Sequence, residues 1–237
     1  MLPDRLTRPA PESDATSLEA RFRAFIRERE FPCVGAKSAL ARGSVRTLVA
    51  RDMASAWDDL RIYASLREFA GDYRARPGPF QSLAVIFAGK APRSEQAFET
   101  ALWERVQSLS DKDGWLGQRY DPRVSDEADD PHFSLSFGGE AFFIVGLHPK
   151  ANRPARCFEA PVLVFNPHDQ FEQLRSEGRY EGLRESIIAR DVALVGSPNP
   201  MLSRFGETSE ARQYSGRAVG SDWRCPFRAK PRAPADD

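Results

Sequence analysis

The chain has 237 residues, 41% of them hydrophobic and 29% charged, the balance of a globular protein able to bury a sizeable core. Lys plus Arg and Asp plus Glu both number 34, so the formal net charge is zero and nothing favours a nucleic acid as partner. No apolar run reaches the length of a membrane span, and the opening MLPDRLTRPAPESD lacks the apolar stretch of a signal peptide, so no membrane partner and a cytoplasmic location are expected.

Residues 1–15 read as a flexible lead. Thr16 with Glu19 makes a capping box, and Leu18, Phe22 and Phe25 fall on one face of a first helix. That helix ends before Phe31-Pro32-Cys33, because a residue preceding proline is pushed out of the helical region. Val34 to Ala41 reads as either a close-packed loop or a short helix. A second helix is predicted from Met53 to Tyr73, with Trp57, Leu60 and Ala64 on its buried stripe, and Arg76-Pro77-Gly78-Pro79 ends it. Phe80 to Phe87 is apolar at successive positions, as in a strand buried on both faces. Ser94 caps a third helix whose Phe98, Leu102, Val106 and Leu109 share a face. Asp121 to Pro131 is an acidic loop. Phe133, Leu135 and Phe137 alternate with Ser134 and Ser136 as in a half-buried strand, and Gly138-Gly139 is a hairpin turn signal. Ala141 to Leu147 and Val162 to Phe165 are further strands. Phe171, Leu174, Leu183, Ile187 and Ile188 predict one or two helices broken near Gly178, and residues 228–237 read as a mobile tail. The whole describes a single α+β domain over residues 16–227, with a central, mainly antiparallel sheet of about four strands flanked by helices.

All three histidines lie in or beside the stretch from Phe133 to Phe171. His148 and His168 each follow an apolar strand and adjoin a proline, which makes them a candidate ligand or catalytic pair at the rim of one sheet. Period two puts Phe142, Ile144, Gly146 and His148 on one face, and Gly146 removes bulk beside the imidazole where a flat ligand could approach. Arg153 and Arg156 follow, able to hold carboxylates or propionates bidentately. His168 opens a helix, a position that favours the neutral imidazole a metal needs. The alternative for each histidine is a buried ring hydrogen-bonded to backbone; His132, in the acidic loop, reads as exposed. Cys33 and Cys225, in mirrored Phe-Pro-Cys and Cys-Pro-Phe motifs, read as buried structural thiols, and Cys157 has no supporting context. Without a CxxC spacing neither a disulfide framework nor a zinc knuckle is indicated. A histidine in apolar surroundings with arginines nearby is closest to a b-type heme pocket.

The blocks FPCVGAKSAL, FQSLAVIF, FSLSFGGEAFFIVGLHPKANRPAR, VLVFNPHDQFEQLR, RD followed by GSPNPML, and SEARQYSGR ending in WRCPF stand in this order across residues 31–227. Together they resemble the YqcI/YcgG family, whose relatives include heme-dependent N-hydroxylases of the pre-guanitoxin N-hydroxylase type. Cys157 stands where that family more often has a basic residue, which thins the arginine cluster. The resemblance implies a b-type heme iron held by a histidine, His148 in preference to His168, with the other lining the pocket or orienting a ligand. It also implies hydroxylation of a guanidino nitrogen of arginine or an arginine-derived amino acid. The small-molecule guanidine or amine substrate needs a carboxylate partner, for which Glu140 beside the hairpin turn is one candidate among many acids. Dioxygen and an external electron donor complete the expectation, since no flavin or nicotinamide fingerprint is present. A non-catalytic heme carrier or sensor on the same pocket is the alternative, and a homodimer is left open.

Overall fold

The structure is a computed structural model that describes residues 17–230. The expected lead over residues 1–15, the Thr16 half of the capping box and the tail beyond residue 230 lie outside the described residues. In chain order the elements are α1 (Leu18–Arg27), α2 (Val34–Ala41), β1 (Val45–Ala50), α3 (Asp59–Ala75), β2 (Ser82–Phe87), α4 (Glu95–Trp115), β3 (Leu135–Phe137), β4 (Glu140–Leu147), β5 (Val162–Pro167), α5 (Asp169–Ser176), α6 (Tyr180–Val195) and α7 (Ala211–Tyr214). The strands form one open sheet in the order β1-β2-β5-β4-β3. Only β1 and β2 pair parallel, with α3 as their crossover; the other three pairings are antiparallel. The α+β architecture with a mainly antiparallel sheet is therefore as expected, with five strands rather than about four.

Alternation along the strands divides the core into two layers. Leu83, Val85 and Phe87 of β2, Phe142 and Ile144 of β4, and Leu163 and Phe165 of β5 pack with α3, α4 and α7. Ala84 and Ile86 of β2, Leu147 of β4 and Val162 of β5 face the other way, toward α1 and α2. Every residue of β2 is buried, as a strand covered on both faces requires. Among the described residues no helix is long and apolar enough to cross a membrane.

Local chemistry sets the element ends. The Ser17 side chain accepts from the Ala20 amide to start α1, and Ser94 does the same from Ala97 at α4. Gly138 and Gly139 take φ of 59° and 78°, the paired left-handed conformation of a tight hairpin turn between β3 and β4.

Three sequence expectations are corrected here. The second helix begins at Asp59, and Trp57, Leu60 and Ala64 face outward, with Trp57 74% and Leu60 70% exposed. Its buried stripe is Ile62, Tyr63, Leu66, Phe69, Ala70 and Tyr73. The segment carries two apolar stripes at helical spacing, and the larger, aromatic one wins the core. The serines of the strand at Phe133–Phe137 are buried, not solvated. Ser134 Oγ donates to the Phe142 carbonyl, and Ser136 Oγ accepts from the Asp121 amide, so the acidic loop covers that face. Residues 228–230 are held rather than mobile: the Arg228 amide donates to Gln107 and Lys230 pairs with Asp111 at 2.8 Å.

Candidate functional site

On the α1–α2 side of the sheet lies an apolar cavity of about 310 Å³. Val145 and Leu147 of β4 and Val164 of β5 form its floor, Phe22 and Ile26 of α1 one wall, and Leu183 and Ile187 of α6 another. The α6 helix makes sense in this light. Of its 16 residues only Asp191 is buried, because its aliphatic side chains face a cavity instead of a filled core.

Most polar groups on the wall are already satisfied. Ser82 Oγ donates to Asn166 Oδ1 at 2.7 Å, and Gln170 exchanges hydrogen bonds with the Gln81 backbone at 3.0 and 3.2 Å. Cys33 caps α2, its sulfur accepting from the Ala36 amide at 3.4 Å, and burial pushes its thiol above the ordinary range. It is therefore a protonated thiol at neutral pH and no nucleophile. Arg153 pairs with Asp191 and donates to the Ser197 carbonyl at 2.9 Å. Arg156 differs. One of its terminal nitrogens donates to the Gly146 and Tyr214 carbonyls at 3.3 and 3.0 Å, and among the described residues it has no carboxylate partner. Burial pulls its pKa down to about 10, which leaves it charged at neutral pH.

The expected histidine pair does not form. The His168 amide donates to the Ala141 carbonyl at one end of β4, whereas His148 follows Leu147 at the other end. Antiparallel pairing of β4 with β5 separates them by the length of an 8-residue strand, roughly 20 Å or more at about 3.3 Å per residue. Neither imidazole is among the residues lining the cavity. His148 stacks on Phe98 at 4.2 Å, and its Nδ1 accepts from the Lys150 amide at 3.2 Å. Burial, reinforced by Arg156, lowers its pKa to about 4, so the ring is neutral. His168 Nε2 lies 3.4 Å from Glu210, with Phe205 against the ring at 4.4 Å. His132 is exposed, as expected.

The space expected over Gly146 is also filled. A Cβ there would lie 2.6 Å from the Phe98 ring and 2.9 Å from the Tyr214 carbonyl, so the glycine admits protein and not a flat ligand. Gly146→Ala is expected to destabilise the fold by about 1–3 kcal/mol through overpacking, read as a lower denaturant midpoint at constant slope. Glu140 is displaced from the site as well. It is 1% exposed and its carboxylate takes Arg123 at 2.7 Å, in a group with Asp121 and Asp169 that lies outside the cavity. The acid that does line the cavity is Asp191, in the two-residue RD block that carried no chemistry of its own in the sequence.

For a b-type heme the fit is divided by part. The apolar walls and the two arginines suit a flat macrocycle with carboxylate arms; the orientation of the two imidazoles does not supply the iron. What the fold does show is convergence of the ordered blocks. Phe31 and Cys33 come from the first, Phe80 and Ser82 from the second, and Leu147, Arg153 and Arg156 from the third. Asn166, Gln170 and Phe171 come from the fourth, Asp191, Asn199 and Leu202 from the fifth, and Gln213 from the sixth. The model of the YqcI/YcgG family matches residues 22–228, which includes every residue of this wall. No curated protein and no solved structure matches the chain.

Proposed function

The chain belongs to the YqcI/YcgG family, and on that premise we propose that it is a heme-dependent N-hydroxylase acting on a guanidino nitrogen of arginine or an arginine-derived amino acid, with the apolar cavity as its site. The observation that carries this reading is that all six ordered blocks contribute side chains to one cavity wall. A concave, mostly apolar pocket with a few convergent polar groups is the default place for a ligand in a fold of this kind.

The wall and the residues beside it divide the work in this reading. The aliphatic and aromatic walls exclude water and seat a macrocycle; Arg156 holds a propionate, Arg153 being engaged by Asp191. His148 is the imidazole this reading would give to the iron: it is neutral at pH 7 and its amide donates to the Arg156 carbonyl at 2.9 Å, but it lies outside the cavity wall and would have to turn out of its stack on Phe98 to reach the ligand. Bound heme would supply the iron chemistry that activates dioxygen with electrons from an external donor. Asp191 takes over from Glu140 as the acid nearest a substrate guanidinium, because it is the carboxylate on the wall, and a substrate would share it with Arg153.

Titration of the purified chain with hemin is expected to give a Soret band that His148→Ala disrupts and His168→Ala alters less. Incubation with arginine, a reductant and dioxygen is then expected to add one oxygen by mass. Heme bound with no product from any guanidine or amine points instead to a carrier or sensor. No Soret band from the wild-type chain ends the heme reading altogether.

A further inference from the structure

We infer that Arg156 is the carboxylate anchor of the cavity, which therefore favours a ligand that brings a carboxylate on a largely apolar body. The inference rests on the cavity being a ligand site, as proposed above, and adds which charge recognises the ligand. Three side chains on the wall are ionisable as acid or guanidinium: Arg153, Arg156 and Asp191. Arg153 and Asp191 neutralise each other in a buried ion pair, so among the described residues of the wall one cation is left over. A guanidinium has five N–H donors, and the backbone carbonyls of Gly146 and Tyr214 both fall on one nitrogen of Arg156. The remaining donors form the planar fork that matches a carboxylate.

The arginine is also built in place. Gly216 lies against its shaft, where an added Cβ would come within 2.6 Å of the Arg156 Cδ and 3.0 Å of a terminal nitrogen. Two carbonyls hold the head, a glycine admits the shaft, and among the described residues no acid pairs with it directly; Asp191, already held by Arg153, attracts it only from a distance. Burying an unbalanced cation is costly unless an anion joins it, so the cavity favours an acid over a neutral molecule of the same shape. Most of the rest of the wall, including Ile26, Val145, Leu183 and Ile187, is apolar, and its polar side chains such as Ser82, Asn166 and Gln170 are engaged with other protein groups.

One carboxylate on an apolar body describes a propionate arm of heme and also a free apolar acid, so the test separates these sources. Binding of decanoate and decan-1-ol to the heme-free chain is measured by calorimetry, and of hemin and its dimethyl ester by absorption. Acid is expected to bind in preference to its neutral counterpart in at least one of the two pairs. Arg156→Gln is expected to weaken that binding by about tenfold to a hundredfold, with Arg153→Gln weakening it less. Arg156→Lys, which keeps the charge and loses the fork, is expected to fall between, and it serves if the glutamine variant does not fold. Equal binding of acid and neutral form in both pairs overturns the anchor, as does an Arg156→Gln chain that binds acid like the wild type. Decanoate held through Arg156 without any hemin binding keeps the anchor and removes the heme reading. Hemin bound with no dependence on Arg156 does the reverse.

Discussion

Arg123→Met is expected to lower stability by about 2–4 kcal/mol at neutral pH, a loss on the scale of truncating a buried aromatic of the β3–β4 hairpin. Arg123 holds three carboxylates at once: Asp121, Glu140 at 2.7 Å and Asp169 at 3.0 Å. Asp121 and Glu140 are each 1% exposed, so removing the guanidinium leaves two buried acids facing one another. The cost of stranding a buried charge reaches about 3–5 kcal/mol, and half-exposure of the Arg123 side chain lets water recover part of it. The two acids are perturbed in opposite senses. Burial raises the Glu140 pKa against the pull of Arg123. Burial also works to raise Asp121, but hydrogen bonds from Arg123 outweigh it and hold the carboxyl below its ordinary value. Glu140→Gln alone is therefore expected to cost less than Arg123→Met, and the double variant to recover part of the loss. Urea denaturation of the three variants checks this. Equal stability of wild type and Arg123→Met would mean the acids relax into solvent, and Glu140 would again be free to serve elsewhere.

That Glu140 belongs to this cluster was not legible from the chain, and the reason is particular. Its position beside a glycine turn was readable, but its partner lies 17 residues earlier in a loop without periodicity. The central strands were legible because alternation and a paired glycine are local signals. The first strand was not: β1 is an edge strand carrying Arg46 and partly exposed centre positions, and its partner β2 is brought beside it only by the α3 crossover. The α3 stripe failed differently, since two faces satisfy the same period and only packing chooses between them. For the histidines, the chain tells that each follows a strand but not that β4 and β5 run antiparallel in the register that sends them to opposite ends. The cavity itself is assembled from Phe22 at one extreme to Gln213 at the other, so no window of the sequence contains it. The ordered blocks marked its parts without revealing that they meet.

Acidification between pH 6.5 and about 4 is expected to remove about 3 kcal/mol of stability through His148 alone. Burial is the main cause: the ring is 1% exposed, stacks on Phe98, and lies beside the Arg156 charge, which together lower its pKa from 6.5 to about 4. The sign follows from proton counting. Between these two values the unfolded chain binds a proton at His148 and the folded chain does not, so stability rises with pH across the window and falls as acid is added. Above pH 6.5 neither state is protonated and the term vanishes; below about 4 both are, and the loss is complete. Protonation would also turn Nδ1 from the acceptor of the Lys150 amide into a donor, which breaks the 3.2 Å bond that orients the ring. His148→Gln removes the titration while keeping a side chain that can accept that amide. Denaturant midpoints of both chains at about pH 7 and about pH 4.5 isolate the term, because carboxylates such as Asp121 contribute equally to each. The wild type is expected to lose more than the variant over this interval. If both lose the same amount, the imidazole is open to water in solution and the packing against Phe98 does not hold it.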